Sequence, residues 1–284
     1  MKQAIKTGSS AFIRGLSFLL PKVVLFRLFC GVRRFHIWLT ERHAPVPLLK
    51  GIDHIFYSLR PALITTQIDG ATFLVRLNDP CHYNPVIGVH EPPVVAWLKE
   101  NVRPGMNAID LGANIGSYTV LLANLVGPEG RVLSVEADTG VVQILRHNVE
   151  ANRLAHVDVV NGAAHSSCGT LRLGRAAASS WYTGAYYRQA SEWVDVPACT
   201  VDSLVADRQW VRVDLVKIDV EGNETAVLQG MNWVLRNFRP IVFVELHDYN
   251  DEGSAHPALD VLRDAGYDFS YLSPQHVISR RRAT

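Results

Sequence analysis

The run Asp110-Leu111-Gly112-Ala113-Asn114-Ile115-Gly116 decides how this 284-residue chain is read. Asn107 to Leu111 is a short apolar stretch with an acid near its end, and Gly116 to Val126 behind it has helical character. Glycines at 112 and 116 permit positive φ and let a ligand approach the main chain closely. A loop of this kind at the carboxyl end of a first strand is where an open α/β sheet binds nucleotides. The spacing differs from G-x-G-x-x-G, whose glycines serve a pyrophosphate held by a helix N-terminus. Asp110 would repel a pyrophosphate. It would instead accept from, or electrostatically favour, a cationic amino-acid group.

Working outward, the chain beyond about residue 95 alternates short β-branched runs with helical patterns, the mark of a parallel α/β sheet. Strands are expected at Asn107 to Leu111, Arg131 to Val135, Val157 to Val160, Leu215 to Asp219 and Ile241 to Leu246. Their uninterrupted Val, Ile and Leu content suits strands buried on both faces. Helices are expected at 116–126, 139–151, 224–237 and 257–265. Residues 50–95 read differently, as a small antiparallel lead-in with a strand at Thr72 to Leu77 and a turn at Asn78-Asp79-Pro80. Between Cys168 and Thr200, strands at Thr170 to Leu173 and Val194 to Thr200 flank a long connection carrying Trp181, Tyr182, Tyr186 and Tyr187. Flat aromatic faces of this kind can cover the apolar face of a sugar or pack as a lid on the core.

A second acid, Glu136, ends the next strand about two dozen residues after Asp110, the position from which a carboxylate bonds ribose hydroxyls. A nucleoside with a positively charged appendage satisfies both acids, and S-adenosylmethionine is such a molecule. The plainer reading makes Asp110 a helix cap and Glu136 a surface residue, but capping does not require acids at consecutive strand ends. Asn161-Gly162-Ala163-Ala164 supplies small residues after the third strand, suited to an adenine edge.

The stretches D-L-G-A-N-I-G-S-Y-T at 110–119, V-K-I-D-V-E-G-N-E at 216–224 and V-F-V-E-L-H at 242–247 closely resemble the FkbM family of methyltransferases, over about Asp79 to Tyr249. The resemblance implies a Rossmann-like class I methyltransferase fold of the α/β class. Its sheet would be mostly parallel and seven-stranded with helices on both faces, here preceded by a helical N-terminal extension. It implies S-adenosylmethionine as cofactor and transfer to a hydroxyl of a sugar, glycolipid or polyketide-type product. Asp110, Gly112, Asn114, Gly116 and Tyr118 match the family's cofactor loop, with Ala113 and Ser117 inside it, and Glu136, followed by Ala137, matches its ribose acid. Glu91, in G-V-H-E-P, stands where the family often has Y-E-P, with His90 in place of the tyrosine. Three segments are expected: an extension over 1–48, the lead-in over 49–95 and the methyltransferase domain over 96–284.

A hydroxyl is a poor nucleophile and needs a base or a metal ion to weaken its proton. Asp219 and Glu221 near the end of the fourth strand, and Glu245 and His247 near the end of the fifth, are the groups available. Residues two apart on a strand share a face, so the two pairs can meet beside the cofactor. Either His247 is the base with Asp219 orienting it or the substrate, or Asp219, Glu245 and His247 bind a hard cation such as Mg²⁺. The plainer reading turns a strand into a helix at 219–222 with Asn223 as its cap. Lys217 is expected to pair with a carboxylate or snorkel rather than react.

A formal net charge of +1 provides no strong field pointing to nucleic acid. The four cysteines, Cys30, Cys81, Cys168 and Cys199, have no zinc spacing and read as reduced thiols of a cytoplasmic protein. The first 45 residues are locally basic, with Phe12, Leu16, Leu19, Val23, Phe26 and Phe29 at helical spacing. They are too interrupted by charge to span a bilayer, which takes roughly 18 apolar residues. Such a helix packs on the main domain, self-associates or rests on the inner surface of an anionic membrane. Two other functions share much of this pattern. A nicotinamide-dependent oxidoreductase should show the tighter glycine turn, and an inactive scaffold has no need for clustered acids that repel one another.

Overall fold

The computed structural model describes residues 24, 63–68, 70–76, 82, 91–175, 182–183, 192–247 and 256–282. The basic segment (Val24 apart) and Trp181, Tyr186 and Tyr187 lie outside them. The chain divides into two units, Met1–Pro92 and Pro93–Thr284. In the first, β1 (Leu63–Ile68) and β2 (Ala71–Arg76) form an antiparallel hairpin in which Leu63 faces Arg76 and Ile68 faces Ala71. Ile64, Thr66, Phe73 and Val75 are its buried positions. They alternate with exposed or half-buried neighbours as a one-faced ribbon requires. The strand expected at 72–77 is therefore present one residue earlier, paired with a β1 that the sequence pattern did not single out.

The second unit opens near α1 (Pro92–Asn101), whose Val94 and Leu98 lie one turn apart and are buried. There follow β3 (Asn107–Leu111), α2 (Ser117–Val126), β4 (Arg131–Glu136), α3 (Thr139–Ala151) and β5 (Val157–Asn161). Asp138 starts α3 by accepting from the Gly140 and Val141 amides at 2.6 and 3.0 Å. Next come β6 (Ala163–Ala164), β7 (Gly169–Arg175), β8 (Tyr182–Thr183), β9 (Glu192–Cys199) and α4 (Val201–Asp207). The chain then runs through β10 (Leu215–Ile218), α5 (Glu224–Gln229), α6 (Asn232–Asn237), β11 (Ile241–Glu245), α7 (Pro257–Asp264), β12 (Tyr267–Tyr271) and β13 (His276–Arg281).

Seven strands form the central sheet in the order β12-β13-β11-β10-β3-β4-β5. The five from β11 to β5 are parallel, and β13 runs antiparallel to both β11 and β12. The chain leaves β3 in one direction toward β5 and later returns to the other side of β3 through β10 and β11. Right-handed crossovers in opposite directions put helices on opposite faces and open a crevice between the ends of β3 and β10. This is the expected class I methyltransferase fold. A core of Val, Leu and Ile from both sets of strands fills the interior.

The strands expected at Thr170 to Leu173 and Val194 to Thr200 are present as β7 and β9, and with β6 and β8 they form a second, four-stranded sheet of order β6-β9-β7-β8. The helix expected over 224–237 is two helices, with Gly230 at the end of the first. A Cβ at Gly230 would stand 2.0 Å from the His165 carbonyl oxygen, so only glycine lets the chain pass. Gly230 has φ −78, which any residue adopts, so Gly230→Ala tests space alone. We expect it to cost about 1–3 kcal/mol by overpacking against backbone, read as a lower urea midpoint with an unchanged slope.

Candidate functional site

The crevice between β3 and β10 is built by one close backbone passage. Gly112 has φ 73, and a Cβ there would lie 1.7 Å from the Asp219 carbonyl oxygen. The Asp219 amide in turn donates to the Leu111 carbonyl at 3.1 Å. The first loop glycine thus brings the ends of the two strands into contact, whatever it later allows a ligand to do. Its own amide and that of Ala113 both donate to the Val135 carbonyl at 3.0 Å, turning the loop toward β4. Asn114 has φ 50 and accepts at its side-chain oxygen from the Ile115 amide, while the buried Asn148 amide holds the Ile115 carbonyl from α3. Gly116, φ 90, then leads into α2.

Asp110 is fully buried. One carboxylate oxygen accepts from the Thr119 hydroxyl at 2.7 Å, and the other lies 3.3 Å from the Lys217 ammonium. Lys217, in the middle of β10 and 2% exposed, also reaches Asp219 at 3.2 Å and the Gly112 carbonyl at 3.3 Å, with the Tyr118 ring 4.9 Å below. The pairing expected of Lys217 therefore joins the cofactor loop to the acid cluster. With these partners, Asp110 presents no exposed acceptor oxygen.

Glu136 is bonded at both oxygens, accepting from the Asn114 amide of the loop at 2.8 Å and from the Asp138 amide at the start of α3 at 2.7 Å. Burial outweighs these two hydrogen bonds and pushes its carboxyl up to about 7. The Asn161 side chain donates to the carbonyls of Glu136 and Ala137, and the Gly162 amide donates to Glu136 as well. Ala163 is paired with Ala198 in β6 and β9. This turn thus presents apolar surface at 163 rather than a run of unpaired backbone groups. Among the described residues the Ser117 hydroxyl is buried in this loop with no hydrogen-bond partner. Glu91, φ 46, belongs to the first unit.

The four acceptor-side residues do converge. His247 Nε2 lies 3.5 Å from Glu221, 3.7 Å from Glu245 and 3.9 Å from Asp219. Glu221 arrives by a route the strand argument did not supply. β10 ends at Ile218, and the chain turns through positive φ at Glu221 (51) and Gly222 (97). Asp219 does not orient the imidazole. That role falls to Glu224, which the sequence reading placed only at a helix start. Its buried carboxylate meets His247 Nδ1 at 2.8 Å and accepts from the Gly222 amide at 2.9 Å. Asn223 precedes α5 without a side-chain capping bond. The Nε2 of His256 meets the His247 carbonyl at 3.0 Å from the start of α7. His276, also unforeseen, faces Glu245 across the antiparallel β11–β13 pair at 3.6 Å and stacks on Phe243.

Burial alone would lower the His247 imidazolium. The Glu224 hydrogen bond and the charges of Glu221 and Asp219 outweigh it and hold the ring's pKa at about 9. Burial, with repulsion from Asp219 and Glu245, lifts Glu221 to about 8 in spite of its cationic neighbour. At neutral pH both groups carry protons. Asp219, Glu245 and His247 each offer an atom within a 4.8 Å cluster that a metal ion could share. Of the expected aromatic contacts, Tyr182 contributes backbone to β8, paired with Arg175 of β7.

The model of the methyltransferase FkbM domain matches residues 110–269, from the end of β3 into β12. The chain belongs to the FkbM methyltransferase family. A protein-L-isoaspartate O-methyltransferase of Methanothrix thermoacetophila is 33% identical over 76 residues, 26% of this chain and 36% of that protein. A probable cobalt-precorrin-6B C(15)-methyltransferase of Sulfurisphaera tokodaii is 35% identical over 71 residues, 25% of this chain and 37% of that protein. This FkbM chain thus spans little more than a third of the length of these curated relatives. The crystal structure of methyltransferase FkbM from Methylobacillus flagellatus aligns with a TM-score of 0.44 at 15% identity, covering 69% of this chain and 52% of that one.

The Lys217 contacts generate a stability prediction. Lys217→Met leaves Asp110 buried without its cation and should destabilise the fold by about 3–5 kcal/mol. Adding Asp110→Asn should recover part of that loss. Chemical denaturation of the single and double variants checks this, and additive losses would show that the two groups are not coupled.

Proposed function

We propose that this FkbM-family chain binds S-adenosylmethionine at the 110–118 loop and transfers its methyl group to a hydroxyl oxygen. The acceptor class is a sugar, glycolipid or polyketide-type product. The observation that carries the reading is the Lys217 bridge, which sets an amino-acid-binding type of loop directly against a histidine ringed by carboxylates. The orphaned Ser117 hydroxyl in the loop and the ribose-distance carboxylate of Glu136 suit the polar edges of that cofactor. Trp181, Tyr182, Tyr186 and Tyr187 are the proposed acceptor contacts.

Transfer is an in-line displacement at a sulfonium that is already a good leaving group, so alignment supplies much of the rate. What remains is the hydroxyl proton. The His247 and Glu221 cluster takes it once the cluster has lost one of its own protons, an event belonging to the coupled pair rather than to either residue. Glu224 fixes the ring so that Nε2 faces the acceptor.

The basic segment at 1–45 is proposed to make peripheral contact with the inner surface of an anionic membrane or to self-associate, and the protein to be cytoplasmic. Among the described residues no helix is long and apolar enough to cross a membrane.

The test is transfer of an isotopically labelled methyl group from S-adenosylmethionine to a panel of hydroxyl acceptors, followed by mass spectrometry across pH 6 to 10. The sign follows from a base that must be unprotonated. The rate should rise through about pH 8 to 9 and level off above. His247→Ala should lower it about 10²–10⁴-fold. A divalent cation on Asp219, Glu245 and His247 would compete with the proton on the ring. Added Mg²⁺ or Mn²⁺ would then move the rise to lower pH, and a chelator would reverse it. A flat profile with an active His247→Ala variant contradicts the base assignment, and cofactor binding without transfer to any acceptor favours an inactive scaffold.

A further inference from the structure

The second sheet holds chemistry that methyl transfer does not use. In the antiparallel ladder of β7 and β9, Gly169 faces Ala198. The ladder ends there, with Cys168 just before Gly169 and Cys199 just after Ala198, and the two thiols lie within hydrogen-bonding reach of each other although 31 positions separate them in sequence. The Gly169–Ala198 pair that they flank has Cα atoms about 4.5–5.5 Å apart, and a disulfide bridges Cα atoms about 4.4–6.8 Å apart. Cys199 is fixed from both sides. It pairs with Ala164 of β6, and its carbonyl accepts from the His165 amide at 2.9 Å. Cys168 Sγ lies 3.4 Å from the Ser203 hydroxyl in the first turn of α4. Both are free thiols, Cys168 exposed and Cys199 partly buried.

We infer that Cys168 and Cys199 are a modification site: a cross-strand thiol pair that a low-molecular-weight disulfide such as oxidised glutathione converts into an intramolecular disulfide. The environments divide the labour. Hydrogen bonding with Ser203 and to Thr200 lowers the exposed Cys168 thiol below its ordinary range, while burial and the neighbouring Cys168 raise Cys199. Cys168 is the attacking thiolate and Cys199 the resolving group. In the first step Cys168 Sγ bonds one glutathione sulfur and the other leaves as a thiolate. Cys199 then gives its proton to solvent and attacks Cys168 Sγ, releasing the second glutathione. The protein thiols lose two electrons and two protons, which the glutathione disulfide gains as two thiols.

The closed loop contains β7, β8, most of β9 and the connection bearing the four aromatic positions. Its base adjoins Gly162–Ala164, the turn whose Gly162 amide holds Glu136. Closure would therefore fix the end of the second sheet nearest the proposed adenine edge.

Trypsin separates the two thiols, Cys168 on Leu154–Arg172 and Cys199 on Gln189–Arg208, with one cysteine on each. The full chain, held native in excess oxidised glutathione, alkylated and digested, should yield the two peptides linked, and dithiothreitol should separate them. Cys199→Ser should stop at glutathione on Leu154–Arg172, and Cys168→Ser should leave Gln189–Arg208 largely unmodified. A stable glutathione adduct on wild-type Cys168 beside a free Cys199 would overturn the proposal. So would two free thiols in the native chain under conditions that oxidise the denatured chain.

Discussion

An ammonium group in the middle of a parallel sheet is the constraint on which the rest of the site depends. β10 reads Leu-Val-Lys-Ile, and all four side chains are buried. A lysine in that place is tolerated only if its charge is met, because an unpaired buried ion costs several kcal/mol. Asp110 meets it from β3 and Asp219 from the end of its own strand, at 3.3 and 3.2 Å. Those two acids belong to different halves of the site. The ion pair that satisfies the strand therefore also ties the end of β3, which leads into the glycine loop, to the acid cluster. Gly112 completes the arrangement by letting the two strand ends touch without a side chain between them.

The electrostatics beyond Lys217 follow the same economy. Four carboxylates close to one imidazole would be unstable as fully charged neighbours, so protons are retained on Glu221 and His247. Glu224 is the most buried of the acids around the ring and makes the shortest contact to it. It sets the ring's direction, leaving Nε2 to face the three others. On the cofactor side Glu136 shows a similar tension. Burial favours its neutral form while two backbone amides favour the charged one. A ligand hydroxyl donating there would add to the second effect.

Much of this could be read from the residues in order, and what could not be read has identifiable causes. The central strands were legible because doubly buried strands are unbroken apolar runs, and the loop at 110–116 because glycine and acid alternate at a strand end. Asp219, Glu221, Glu245 and His247 were legible as acids and a histidine following two such strands. Glu224 was not, because the left-handed turn at Glu221 and Gly222 folds its carboxylate back toward His247, which helical periodicity does not reveal. His276 reaches the site only through antiparallel pairing with Glu245. β13 itself ends in arginines that mask its strand pattern. The need for glycine at 230 comes from the approach of His165, far away in sequence.

The central claim is that the 110–118 loop and Glu136 form a nucleoside site for a sulfonium cofactor and its product. The most direct measurement is isothermal titration of S-adenosylmethionine and S-adenosylhomocysteine into the full-length protein and its Glu136→Ala variant at one pH above 8. The account predicts one site per chain in the wild type and affinity at least about tenfold weaker in the variant, the loss of one or more charge-assisted hydrogen bonds. Absence of binding in a folded wild type, or equal affinity in the two proteins, would contradict it.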